Sequence, residues 1–343
     1  MKRTARVQAG QSPEATAWVG IDIAKQTFDV CLLRGEGKPL AKQFENSQIG
    51  FSQLLHWIQS HVPAENAHFC MEATGTYGLA LAFFLAESSL KVSMVNPFRT
   101  KHAALSRGVG NKTDRSDAFV IADYCRKENL PLWRAAALEV RTLVALLRRL
   151  QNLKDQVQQE TNRLSEPGVL KVIQRLLRKS IRFFKSEILH LEHAIEEHVQ
   201  DHPGLKEDRD LLTSIPGISA TTAHWILAEL PDVEQFASAQ SAAAYAGLAP
   251  QEHRSGTSVR KQTQLSKTGN RHLRRALYMP TLSALQHNPR VKALFQRLVE
   301  KGRPRMVAVG AAMRKLLMIA FGVLKSRRAF YVEDTEMAVL APT

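Results

Sequence analysis

Residues 18–33 read WVGIDIAKQTFDVCLL. In the first half, Trp18, Val19, Ile21 and Ile23 form a short apolar run interrupted by Asp22. Apolar β-formers bounded by small residues suit a buried strand. Beyond Lys25, Phe28, Val30 and Leu32 alternate with Asp29 and Cys31, the period of a second, adjacent strand. The stretch therefore predicts a hairpin opening an α/β sheet. A carboxylate inside such a strand is costly to bury unless something positive meets it. Asp22 is expected either to face a cation or to sit half-exposed at a strand end.

Downstream, Phe51–Ser60 has a helical pattern, and Ala67–Met71 is strand-like and ends at Glu72. ATGTYG (73–78) supplies a turn, LALAFFLAE (79–87) a buried helix, and Lys91–Val95 another strand stopped by Asn96-Pro97. A glycine-punctuated loop, SRGVGNKTDRSD, leads into the helix DAFVIADYCRKE. Strand-like and helix-like runs alternate across residues 17–137, as in an α/β domain.

From Val140 the spacing changes. Val140, Leu143, Leu147, Leu150, Lys154, Val157, Thr161 and Leu164 follow a three-four seam, broken at Glu166-Pro167-Gly168. Leu177, Ile181, Phe184, Ile188, Leu191, Ile195 and His198 then repeat it. Residues 138–203 are thus read as a coiled-coil hairpin arm, or as two ordinary bundle helices. Polar Lys154 and Thr161 in the seam would suit pairing with a second protomer. Residues 204–330 form a mainly helical second domain. A basic tail (1–16), expected to be disordered, and an acidic one (331–343) flank the whole.

Lys and Arg total 47 against 32 Asp and Glu, a net charge of +15, which points to a polyanionic partner. From His253 to Phe330, Glu300 is the only acid, consistent with a phosphate-tracking surface. The N-terminus lacks the apolar core of a signal peptide. The apolar stretch 306–324 carries Arg314 and Lys315 at its centre, which suits a buried or DNA-facing helix better than a membrane span. Cys31, Cys70 and Cys125 are far apart, fitting a reducing cytosol and no structural zinc.

Four acids stand out. Asp22 and Glu72 end or interrupt neighbouring strands, and Asp114 and Asp117 lie three apart on one face at a helix start. Like charges so close call for a counter-ion, and hard oxygen ligands select magnesium or manganese. Two such ions about 4 Å apart clamp the attacking and leaving oxygens of a phosphodiester. Helix capping is the plainer reading of Asp114 and Asp117. Asp29 and Asp123 fit outward-facing positions.

The order of GIDIAKQTFDV, MEATGTYG and NKTDRSDA resembles the RuvC-like (RNase H-type) DEDD domain of a bacterial insertion-sequence transposase family. That family includes Piv-type DNA invertases and bridge-RNA-guided recombinases. The resemblance runs on through the second domain, leaving out the two tails. It implies that Asp22, Glu72, Asp114 and Asp117 bind the metal.

In the second domain, Leu211–Ala223 (LLTSIPGISATTA) reads as a helix-hairpin-helix whose turn amides, around Gly217, would hold a DNA phosphate, or as a plain tight turn. Ser255 lies between His253-Arg254 and Arg260-Lys261. A serine needs a base or metal to become a nucleophile, and flanking arginines stabilise developing phosphoryl charge. On residues alone it is equally a polar loop. The resemblance places the nucleophilic serine here, upstream of SKTGNRHLRR (266–275), which makes it Ser255, with Ser258 next and Ser266 third. His253 is not assigned as a base. Candidate nucleic-acid contacts are Gly217, Arg254, Arg260, Lys261, Lys267, Arg271, Arg274 and Arg275.

The expected protein is α/β plus α: a RuvC-like domain, a helical arm and a helical domain with a helix-hairpin-helix. Its expected activity is DNA transposition or site-specific recombination through a serine nucleophile and magnesium or manganese. Similarity to the family implies donor and target duplex DNA, a structured bridge RNA, and a homodimer or homotetramer with composite sites. No membrane association is expected, and the location is the bacterial cytoplasm, at the nucleoid. The rivals are a RuvC-type nuclease that cuts branched DNA with activated water, and a non-catalytic nucleic-acid-binding protein.

Overall fold

The hairpin is present, and the sheet grows from it. Ala17–Ile23 (β1) pairs antiparallel with Thr27–Arg34 (β2), Ile21 facing Val30 and Asp22 facing Asp29. The structure is a computed structural model. It describes residues 15–35, 37–73, 77–105, 114–230, 232–251, 254–255, 259–260 and 264–331, with the side chains of 103–105, 114–116, 254–255, 259–260 and 264 outside the description. Nearly all of both expected tails, and much of the loop before Asp114, lie outside the described residues.

Leu40–Glu45 (β3) adds antiparallel to β2. The sequence gives little sign of it, because only Phe44 of its six residues is buried and the alternation is lost. Gln48–Gln59 (α1) follows, its first turn capped by Ser47 Oγ, which accepts from the Gly50 amide at 3.2 Å. Ala67–Glu72 (β4) lies parallel to β1, and after Leu79–Glu87 (α2), Lys91–Val95 (β5) lies parallel to β4. The order is β3-β2-β1-β4-β5. Pro97–Leu105 (α3) and Asp114–Lys127 (α4) complete a first unit, Met1–Ala135.

Alternation along the strands divides the sheet into two faces. On one, Val19, Ile21, Phe28, Val30, Phe69 and Met71 pack with Phe51 and Leu54 of α1 and Leu81 and Leu85 of α2. On the other lies α4. A Cβ on Gly20 would fall 2.1 Å from the Ala118 carbonyl oxygen and 2.2 Å from the Ala122 amide nitrogen. Helix and strand therefore meet backbone to backbone, a contact only glycine permits. Ile121 and Cys125 pack on Cys70 of β4, and the Cys125 thiol donates to the His68 carbonyl at 3.9 Å. The later turns of α4 thus lie towards the start of β4, so its first turn lies over the ends of β1 and β4.

Two expectations are corrected. Asp29 and Asp123 are buried, 8% and 3% exposed, not outward-facing. Asp29 sits on the α4 face of β2 and accepts from Gln43 Nε2 at 2.9 Å. Asp123 is neutralised within its own helix by Arg126 at 2.6 Å and Lys127 at 3.1 Å.

The second unit, Ala136–Thr343, includes the arm. Leu138–Leu164 (α5) and Lys171–Asp201 (α6) form the hairpin. Leu143, Leu147, Leu150, Ile195 and Val199 join the core of the unit, whereas Leu176, Phe183 and Leu189 of α6 are exposed. The polar seam residues find partners within the chain: Lys154 pairs with Glu192 at 2.8 Å, and the Thr161 hydroxyl donates to the Val157 carbonyl at 2.7 Å. A second protomer is not needed to satisfy them.

Pro203–Thr213 (α7) and Ala220–Glu229 (α8) flank the expected hairpin turn, and Ala239–Tyr245 (α9) follows. Four two-residue strands come next: Pro250–Gln251 (β6), Arg254–Ser255 (β7), Val259–Arg260 (β8) and Gln264–Leu265 (β9). Arg271–His287 (α10), Pro289–Glu300 (α11) and Arg305–Ser326 (α12) close the unit. Among the described residues α12 is the helix long and apolar enough to cross a membrane. Its Ala308, Ala312, Leu316 and Ala320 are fully buried in the core of the unit, so it serves as a core helix.

Gly20→Ala is expected to destabilise the protein by about 1–3 kcal/mol, the usual cost of overpacking a filled core. Urea unfolding checks this; an unchanged midpoint would mean that α4 does not rest on β1 as described.

Candidate active site

The sheet itself places Asp22 and Glu72. Ile21 lies opposite Met71 across the parallel β1–β4 pair, so Asp22 and Glu72 are the next residues along adjacent strands. By alternation both share the face covered by α4, and both are half-buried. Glu72 Oε1 accepts a hydrogen bond from the Thr100 hydroxyl of α3. Thr100 is a neighbour that sequence reading missed. Asn96-Pro97 ends β5 as expected, but it also starts α3: Asn96 Oδ1 accepts the Phe98 amide at 2.9 Å, with proline in the first helical position.

Asp114 is the first residue of α4, its side chain outside the description; Asp117, one turn on, is half-buried. The positive end of the helix dipole favours acids in this first turn, and the Gly20 contact brings that turn to the strand ends bearing Asp22 and Glu72. Asp29 also belongs here. As the antiparallel partner of Asp22 it projects from the same face, where like charges directly opposite are unfavourable.

Carboxylates and a threonine hydroxyl are the hard oxygen donors that magnesium or manganese prefers. By donor chemistry the acids fit such an ion. Among the described residues no three His, Cys, Asp or Glu side chains converge closely enough to hold one; the Asp114 carboxylate is not among them.

Ser255 belongs to the second unit. Pro250 faces Leu265 and Gln251 faces Gln264, then Arg254 faces Arg260 and Ser255 faces Val259. These are two separate two-stranded ribbons, β6–β9 and β7–β8; Ser255 lies in the second, next to Arg254 and opposite Val259. His253, Ser258 and Lys261 lie outside the described residues. Ser266 stands at the foot of the β6–β9 ribbon, its amide donating to the Ala249 carbonyl at 2.9 Å.

SKTGNRHLRR anchors that foot. Gly269, at φ +143°, presses against the Tyr245 carbonyl, where a Cβ would fall 2.3 Å from the oxygen. Asn270 Oδ1 accepts the His272 and Leu273 amides at 2.9 and 3.0 Å, capping α10. Its Nδ2 donates to Glu229 Oε2 at 2.8 Å. Glu229 is 4% exposed, and Arg148 of α5 meets it with two nitrogens at 3.1 and 3.2 Å. A buried carboxylate needs such a partner. Arg274 donates to the Ala246 carbonyl at 3.0 Å, a structural contact. Lys267, Arg271 and Arg275 are exposed, Arg275 in an ion pair with Asp155 at 2.9 Å that holds the Asp155 carboxyl below its usual range.

Gly217 makes the turn between α7 and α8 at φ +100°. A Cβ there would fall 2.7 Å from Ala284 of α10, so the turn is also docked on that helix.

Carboxylates at a sheet edge are the kind of donors that metal-assisted phosphodiester chemistry uses. Comparison with known proteins agrees in class. Residues 19–173 match a transposase family, and residues 209–296 match the transposase IS116/IS110/IS902 family. The chain is 36% identical to the pilin gene-inverting proteins of Moraxella bovis and Moraxella lacunata, in each case over 315 residues, 91% of this chain and 97% of theirs. It is 24% identical to the transposase for insertion sequence element IS1111A of Coxiella burnetii, over 78% of each chain. The chain belongs to this insertion-sequence transposase family.

Asp29→Asn keeps an acceptor for Gln43 while removing the charge opposite Asp22. Without divalent metal it should stabilise the protein by roughly 0.5 kcal/mol, measured by urea unfolding in chelator. A loss of stability would show that the two carboxylates do not repel across the hairpin.

Proposed function

We propose that the protein is a DNA recombinase that cuts and rejoins strands through Ser255, assisted by divalent metal at Asp22, Glu72, Asp114 and Asp117. The observation that carries this is that Asp22 and Glu72 follow one another on adjacent strands, on the face covered by the helix whose first turn carries Asp114 and Asp117. The order β3-β2-β1-β4-β5, a three-stranded antiparallel meander continued by two parallel strands, supports the RuvC-like reading. The names of the relatives, gene-inverting proteins and transposases, support a DNA substrate.

In this mechanism Ser255 Oγ attacks a backbone phosphorus. An Oγ–P bond forms, the bond to the 3′ oxygen breaks, and the serine proton ends on the departing 3′-hydroxyl. A 3′-hydroxyl from another strand then attacks the phosphoserine, restores a phosphodiester and returns the proton to Ser255. Bond number is conserved, so no ATP is needed. Arg254 and Arg260 would balance the charge that builds on the phosphoryl oxygens. Magnesium or manganese, when bound, lowers the pKa of the attacking hydroxyl and offsets the same charge.

The acids and Ser255 lie in different units, so the reaction requires both to reach one phosphate, within a chain or between copies. The exposed apolar residues Leu176, Phe183 and Leu189 of α6 support a dimer or tetramer. The net charge of +15 is compatible with a structured bridge RNA as well as DNA.

Ser255→Ala should lower strand exchange on the order of 10³-fold or more and abolish the covalent protein–DNA adduct. Ser258→Ala should keep both, and chelation of divalent metal should stop wild-type exchange. Full DNA cleavage by Ser255→Ala would favour the rival, a RuvC-type nuclease using activated water.

A further inference from the structure

The second unit carries a cleft that the proposed chemistry does not use. Between α8 and α10, with Gln151 of α5 also lining it, lies a cavity of about 520 Å³. That is within the range of small-ligand sites. Trp225 of α8 and His272 of α10 both border it, each half-buried. Their rings are parallel to within 1°, with centroids 6.4 Å apart. Two rings held in parallel planes offer a planar guest a single orientation.

The rest of the cleft suits a nucleotide. Pro280 lies inside α10 and has no N–H, so the Ala276 carbonyl loses its regular i+4 donor. Ala276 and Pro280 both line the cavity, so this break in the helix ladder falls at its wall. Tyr278, 38% exposed, adds a hydroxyl. Arg275, also lining it, is held among the described residues by its exposed pair with Asp155. Exposed pairs contribute little, so the guanidinium can turn to a phosphate at small cost. Burial, the leading effect on His272, lowers its pKa and favours the neutral imidazole. A neutral ring stacks without a charge to desolvate.

We propose that this cleft binds one unstacked nucleobase against Trp225 and His272, with Arg275 on the adjoining phosphate. The ligand class is a single-stranded nucleotide, from an opened DNA strand or from RNA. Strand exchange must unpair bases before it can re-pair them, so the site deepens the recombinase reading and rests on it for its purpose, though not for its binding chemistry.

The test uses the full Ser255→Ala chain, so that binding is read without strand exchange. Single-stranded oligonucleotides containing 5-iodouracil, one DNA and one RNA, are irradiated with the protein and the adducts mapped by mass spectrometry. Adducts on Trp225, His272 or Tyr278 are expected, and the arm that gives them identifies the source. In parallel, Trp225→Ala should weaken single-strand binding about tenfold, whereas Trp225→Phe keeps most of it, and His272→Ala should repeat the loss if Trp225→Ala fails to fold. Duplex affinity should change less than twofold. Adducts confined to other segments, or equal single-strand affinity in folded Trp225→Ala or His272→Ala, would overturn the proposal. A failed slot leaves the Ser255 result standing, and a failed Ser255 result leaves the slot binding standing.

Discussion

The backbone contact between β1 and α4 at Gly20 fixes the geometry of the acid edge. With no side chain between them, the Ala118 carbonyl and Ala122 amide approach the strand to a distance that any Cβ would violate. That approach settles which turn of α4 lies above which strand residue, and so brings the Asp114–Asp117 turn to the ends of β1 and β4. Each acid in this arrangement is held by something other than another acid. β-Pairing fixes Asp22, β-pairing and Thr100 fix Glu72, and the helix start fixes Asp114 and Asp117. A group of like charges can persist only where such independent supports outweigh the repulsion. Asp29, buried opposite Asp22 with one amide donor, adds to the negative potential that a cation would relieve.

The second unit solves a different problem, holding a thin ribbon at a defined place. Its anchor is again a buried charge. Glu229 joins Arg148 on α5, Asn270 at the start of α10, and through Asn270 the Tyr245 end of α9. The β6–β9 ribbon starts from this junction, and Ser255 belongs to the separate β7–β8 pair. Much of the SKTGNRHLRR stretch therefore serves to seat the ribbon, with Gly269 and Asn270 allowing the close approach and Arg274 bracing the Ala246 carbonyl. Lys267, Arg271 and Arg275 of the same stretch stay exposed.

Much of this was legible in the sequence because it rests on local pattern. The hairpin of Trp18–Leu33 announced itself by alternation, and Asp114 and Asp117 by their spacing at a helix start. The arm showed through its seam. β3 did not, since its single buried residue leaves no period to read. Asp29 misled because an acid in an alternating strand normally marks the solvent side, whereas here that side is covered by α4. Thr100 and Glu229 could not be assigned from spacing, as each acts through partners 28 and 41 or more residues away. The parallel rings of Trp225 and His272 come from two helices and leave no mark in either.

The central claim is that a serine in the second unit and acids in the first act on one phosphorus atom. Its most direct measurement is mass mapping of the protein–DNA adduct formed with magnesium by the wild-type chain and by Glu72→Gln. The predicted result is nucleotide mass on the peptide bearing Ser255 in the wild type and none in Glu72→Gln. An adduct on any other residue, or one undiminished without the Glu72 carboxylate, would contradict it.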